Sequence, residues 1–261
     1  MTGPHATVFL TGTTPVAPAD GRWKTPALQQ AAASAQELWF ITPFGKPGPF
    51  TMVRLAATVT TKGYLPSGRS LSALLSPDGR ARMARLAARY NINTDKLERM
   101  TPWYADVTIA LAMRDREGQT QGSPVERYMI GAAHNPPKRA FDNLEDDLKL
   151  LIATPESEQV YNLEMAMQRD EDPSLNQRYG EAWAAGDEAW ILKEREQHLA
   201  SHAPETYRIL QVEPRRRWAD KIAALSRGSK TVTVIVDAGN LTGPNGLPAL
   251  LRKQGLQVEG P

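Results

Sequence analysis

The chain of 261 residues contains no cysteine, which removes disulfides, thiolate nucleophiles and cysteine-based metal sites but does not fix the compartment. It also lacks any run of about 18 apolar residues, so nothing in it reads as a bilayer span. Neither sign of charge is in excess. Lys+Arg 31 against Asp+Glu 29 gives a formal net charge of +2, which offers no general attraction to nucleic acid or to a membrane surface. No charged segment followed by an apolar stretch opens the chain, so no signal peptide is read. The expected compartment is periplasmic or secreted if a leader has been removed, and cytoplasmic otherwise. No serine stands in a Gly-x-Ser-x-Gly setting, which leaves out a nucleophile elbow.

What is present is a chain with strand signals at both ends. "ATVFL" runs into a turn at Gly12, and "TVTVIV" runs into a turn after Asp237. "LWFI" and the β-branched "TMVRLAATVT" also read as strands. Between them lie helix starts in which a hydroxyl residue precedes a proline: Thr25-Pro26, Ser76-Pro77 and Thr101-Pro102. From Asp142 to about Arg227 the pattern is helical almost throughout.

Strands at the ends with long helical crossovers predict an α/β fold. Its central, mostly parallel sheet is formed by the N- and C-terminal strands and covered by a large helical middle region. The length suits one domain over residues 1–261 with a helical insert at about 70–227. Strands 7–11 and 231–236 are expected to be central neighbours. Thr14 and Asn240 should face one cleft at their carboxyl ends, where such sheets do their work.

The runs "GRSLSALLSPDGRARMARLAARYNINTDKLERMTPWYADVTIALA", "AWAAGDEAWI", "RRRWADKIAAL" and "TVTVIVDAGNLTGPNGLPALLRKQGLQVE" follow in order over nearly the whole chain. Together they resemble the TraB/GumN family, which is related to the TIKI metalloproteases and more distantly to haem-binding ChaN-like and erythromycin-esterase (EreA)-like proteins. The resemblance implies a divalent-metal hydrolase scaffold built on two Gly-x-x-His turns and a few acidic residues. This sequence departs from that pattern. The first turn is Gly12-Thr13-Thr14-Pro15 and the second Asp237-Ala238-Gly239-Asn240. Ile41 stands where the family places a glutamate, and the Glu-Arg-Asn triplet reads Glu213-Pro214-Arg215. Glu126 and Asp142 match acidic positions of the family.

A catalytic zinc needs about three imidazole, thiolate or carboxylate ligands and an open position. Proline and isoleucine supply no donor, and asparagine only a neutral amide oxygen, so no metal and no other cofactor is expected at this site. Among the histidines, His198 and His202 share a helix face at i, i+4 spacing within the polar "EREQHLASHAPE", where a solvated face is preferred over a metal or haem site. His134 reads as a helix-end residue.

Three functions stay open. The preferred one is a pseudoenzyme that holds a peptide, a small ligand, or a paralogous or other protein partner in the old cleft. The second is a metal-independent enzyme with Glu126 and Asp142 as general acid and base. The third is a hydrolase whose metal site has moved. Candidate ligand contacts are Thr13, Thr14, Asp237, Asn240, Arg216, Arg217, Trp103 and Tyr104. Glu126, Asp142 and Asp237 are expected to converge, with an arginine of the "RRRW" helix, Arg216 or Arg217, in place of the ion. Oligomeric state is left open.

Overall fold

The computed structural model describes residues 6–116 and 122–260; His5 lies outside them. Its strands are β1 (Thr7–Thr13), β2 (Glu37–Phe40), β3 (Lys138–Ala140) and β4 (Thr231–Asp237). They form a four-stranded sheet in the order β1-β4-β2-β3, and every pairing is parallel. The last strand therefore lies between the first two. Thr7 pairs with Thr231 and Thr13 with Asp237 on one side of β4, and Glu37–Phe40 pair with residues 232–235 on the other.

β4 occupies the middle because residues 232–236 are buried at every position, the mark of a strand covered on both faces. β1, expected to be central as well, lies at an edge of the sheet formed by the described residues. Its burial is broken, with Thr7, Phe9, Leu10 and Gly12 only partly covered.

Alternation along β4 divides the core. Val232, Val234 and Val236 pack with Val8 against Trp218, Ala219 and Ile222 of the helix Glu213–Ser226 and against Leu247 and Leu251 of the helix Leu247–Lys253. Ile235 points the other way, with Leu38 and Phe40, onto Ala31 and Ala32 of the helix Pro26–Ala33 and Val125 and Met129 of the helix Pro124–Ala132. Each fully buried aliphatic side chain contributes about 1.5–3 kcal/mol relative to exposure. Thr233 belongs to this second face, where its hydroxyl donates to the Ala31 carbonyl at 2.6 Å. A third core, with Leu71, Leu86, Ile109, Leu163 and Met167, is built by middle-region helices that include Pro77–Tyr90, Pro102–Arg116 and Glu156–Glu171.

The segment "TMVRLAATVT" is not a strand but lies within the helix Pro49–Lys62. Its β-branched residues favour a strand, yet its partly buried positions, Thr51, Leu55, Thr58 and Val59, recur at the helical period. Pro49 at the first position and Gly63 at the end bracket it. The hydroxyls of Thr58, Thr60 and Thr61 return to carbonyls four residues back. β3 carried no strand signal, since "KRA" exposes its Lys and Arg at the far edge. Thr25 and Ser76 cap their helices as their Pro-containing contexts suggest.

Close approaches fix the turns after β1 and β4. A Cβ on Gly12 would lie 3.2 Å from the Cα and Cβ of Ala238, so the two turns touch through a position that only glycine fills without displacement. A Cβ on Gly180, in the helix Pro173–Ala185, would lie 2.2 Å from the Val16 carbonyl oxygen. Gly180→Ala is therefore expected to destabilise the fold by about 1–3 kcal/mol through overpacking. Gly131→Ala, on a helix in open space, should instead be neutral or stabilise by up to about 1 kcal/mol. Paired thermal melts of the two variants read the difference.

Candidate functional site

The carboxyl ends of β1 and β4 place Thr13 and Asp237 side by side. Beyond them, Thr13, Thr14, Pro15, Ile41, Glu126 and Asp237 line an open cavity of about 600 Å³. Thr14 is buried, and its hydroxyl donates to the Val16 carbonyl at 3.0 Å, which shapes the turn. Glu126 is the third residue of its helix and closes a capping box. Its Oε2 accepts from the Ser123 N–H at 2.6 Å while the Ser123 hydroxyl accepts from the Glu126 N–H at 3.2 Å.

Asp237 has both carboxylate oxygens engaged. Oδ1 accepts from the Gly239 N–H at 3.0 Å and from the Tyr179 hydroxyl at 3.2 Å, and Oδ2 accepts from Arg195 Nη2 at 3.0 Å. The Arg195 guanidinium also stacks over the Tyr179 ring, 5.2 Å from its centroid. The Asp237 carboxylate holds the Arg195 guanidinium above its usual range. Burial, followed by the Asp237 charge, raises the Tyr179 phenol.

Asn240, in the turn after β4, does not share the Thr14 cavity as expected. It is buried and lines a different cavity together with Asp237 and Gly239. Its amide oxygen accepts from Arg215 Nε at 2.9 Å. Arg215 is 1% exposed, donates through Nη2 to Gln211 at 2.8 Å and pairs through Nη1 with Glu196 at 2.6 Å. Glu196 in turn accepts from the Tyr207 hydroxyl at 2.8 Å, and Asn245 donates to that hydroxyl at 3.2 Å. Arg195 and Glu196 both come from the π-helical turn Lys193–Gln197. Consecutive residues there send one cation to Asp237 and one anion to Arg215, the kind of re-aiming that π-turns permit.

The remaining candidates fall elsewhere. Asp142 does not line the cavity of Glu126 and Asp237. Its Oδ2 accepts from Trp218 Nε1 at 2.6 Å, and its backbone N–H donates to the Ile41 carbonyl at 2.9 Å, so it fastens the Glu213–Ser226 helix to the sheet. The three acids expected to converge thus have separate partners. Arg216 and Arg217 are exposed, and Arg217 reaches Asp142 only at 3.7 Å. The arginines that meet the turn after β4 are Arg215 of the same triplet and Arg195. Trp103 is buried, and Tyr104 packs edge-on to Tyr64 with centroids 5.6 Å apart, so both belong to the helical region rather than to either cavity. His202 stacks on Tyr161 at 5.3 Å, His198 lines the Asn240 cavity, and His134 takes a left-handed conformation (φ 55) beyond its helix end. Among the described residues, no three His, Asp or Glu side chains come together as a metal-binding group.

Like-charge crowding falls on Asp147 instead. Burial, then the Asp142 and Asp146 carboxylates, push its carboxyl up to about 6.

Sequence reasoning missed Arg195 and Glu196 because "LKEREQH" reads as a solvated run, and passed over Arg215 in favour of its neighbours. At helical spacing Arg215 lies with Trp218, Ala219 and Ile222 on the buried stripe, and that spacing was a usable signal.

The family model described as TraB/PrgY/gumN matches residues 1–260 of the chain. No curated protein and no solved structure matches it. No helix among the described residues is long and apolar enough to cross a membrane.

Removing one partner of the buried pair should strand the other charge. Arg215→Met is expected to cost about 3–5 kcal/mol, and a compensating Glu196→Leu in the same chain should recover part of it, as read by chemical denaturation. The Asp147 carboxyl generates a second expectation. Its folded value lies above the ordinary 3.8, so the unfolded chain ionises first as pH rises. This group's contribution therefore falls between about pH 4 and 6 and stays lost above that. Asp147→Asn should be more stable than the wild type at pH 7.5, with the advantage gone near pH 3.5, in melts across that range.

Proposed function

Because the chain belongs to the TraB/PrgY/gumN family, we propose that it is a degenerate member. On this reading it is a pseudoenzyme that holds a peptide, a small ligand or an active protein partner in the cavity of Thr13, Thr14, Glu126 and Asp237, without metal-dependent hydrolysis. The observation that carries the reading is the set of contacts made by the two turns. Pro15 offers no donor atom, and the Asn240 amide oxygen is already taken by the Arg215 guanidinium. Asp237, the carboxylate between them, is held by Arg195.

This donor set does not fit a zinc-like ion. A divalent cation on Asn240 would share its ligand with a fixed positive charge, and like charges about 4 Å apart repel by roughly 4 kcal/mol per unit pair at an effective dielectric of 20. The cavity beside it keeps features suited to binding, with buried threonine side chains, the Glu126 and Asp237 carboxylates and apolar walls from Ile41 and Phe44. Acid–base catalysis by Glu126 and Asp142 is disfavoured because such a pair must reach one ligand. Glu126 faces the cavity, whereas Asp142 is tied to Trp218.

Metal analysis of dialysed protein tests the proposal. Zinc, manganese, cobalt and iron should be far below one equivalent per chain. A near-equimolar metal retained by the wild type and lost in Glu126→Ala would overturn it.

A further inference from the structure

The second cavity, of about 310 Å³, shares Asp237 with the first but is otherwise lined by different residues, mostly from the helices between Pro102 and Arg215. Two of its charge pairs are internally neutral: Arg215 with Glu196, and Arg195 with Asp237. What remains is one cation and one carboxyl. Arg169 donates through Nη2 to the Glu194 carbonyl at 3.0 Å and has no carboxylate partner among the described residues. Burial, reinforced by the neighbouring Arg195 and only partly offset by Glu194, Tyr161 and Tyr179, lowers the pKa of this guanidinium. Asp106 has neither an ion pair nor a hydrogen bond among the described residues, and burial alone pushes its carboxyl up to about 6.

A third observation points to the same space. Thr206 is fully buried at 0% exposure, lines the cavity, and leaves its hydroxyl without a hydrogen-bond partner among the described residues. Buried donors of this kind are rarely left unsatisfied. The rest of the wall is apolar, from Met165, Leu199 and Leu210. The volume lies at the low end of the roughly 300–1,000 Å³ range of small-molecule sites, which restricts the occupant to a molecule of roughly ten heavy atoms.

A guanidinium and a carboxyl without ion-pair partners in one cavity are complementary to a ligand carrying both charges. We propose that this cavity binds a small zwitterion of the α-amino-acid class, with its carboxylate on Arg169, its ammonium on Asp106 and its side chain against Met165, Leu199 and Leu210. The Thr206 hydroxyl supplies a further donor to the carboxylate. The inference stands apart from the pseudoenzyme reading, because it concerns a different cavity and needs no statement about metal.

Isothermal titration of the full chain with each proteinogenic L-amino acid tests it. The N-acetyl derivative of each, lacking the ammonium, and the corresponding amine, lacking the carboxylate, serve as matched arms. At least one amino acid should bind saturably, with both analogues weaker by about tenfold or more, the loss that follows when a charged hydrogen-bond partner is left unpaired. Arg169→Met and Asp106→Asn should each weaken binding to a similar extent. Arg169→Lys, which keeps the charge but loses the planar fork, should fold and still bind more weakly, and it serves if the methionine variant does not fold. The proposal falls if no amino acid binds, if the acetylated or decarboxylated analogue binds as tightly as its parent, or if folded Arg169 variants retain full affinity.

Discussion

Everything at the working end of this protein depends on the last strand taking the middle of the sheet. β4 pairs with β1 on one side and β2 on the other, in parallel with both. Parallel neighbours require crossovers, and here the crossovers contain most of the chain, so the helices end up where those connections force them. The register Thr13↔Asp237 sets the two turns beside each other. The contact of Gly12 with Ala238 then locks them, leaving little freedom in where Thr14, Asp237 and Asn240 can stand.

On that frame the polar residues form a relay rather than an open constellation. Asn245, Tyr207, Glu196, Arg215 and Asn240 are linked in sequence by hydrogen bonds and an ion pair, and Arg195 with Tyr179 closes on Asp237 alongside. Low local dielectric strengthens such a network, in which Arg215 Nη1 and Glu196 Oε1 meet as an ion pair without an aligned hydrogen bond. Nearby, among the described residues, Arg169 and Asp106 stand without an ion-pair partner and the Thr206 hydroxyl without a hydrogen bond. The contrast between this paired relay and neighbours without a charge partner is what separates scaffold from candidate binding surface.

Much of the architecture was legible in the sequence. The continuous apolar run of β4 announced a doubly covered strand, and hydroxyl-proline pairs announced helix starts at Thr25 and Ser76. The misreading of Pro49–Lys62 came from weighing β-branched composition over the period of its partly buried positions, and tertiary contact favoured the period. Three-residue β3 carries too few side chains to signal anything. The residues of the two turns, Pro15 and Asn240 among them, could be read directly, since they are a matter of residue identity. The choice among three consecutive arginines could not be made from charge, because Arg215 turns inward by helix phase while Arg216 and Arg217 face solvent. Glu196, its partner, lies on a π-turn that shifts the phase itself.

The arginines beside the turn after β4 also change what the fold's stability responds to. A protein organised around a bound ion is stabilised by mass action, in proportion to the logarithm of free metal over its dissociation constant, and is weakened by chelators or scarcity. Guanidinium groups are covalent parts of the chain and remain protonated across the physiological range. With Arg215 on Asn240 and Arg195 on Asp237, the charge at the heart of this fold is present at every concentration of every ion. On the proposed reading, the integrity of the sheet's working end is thereby uncoupled from metal supply.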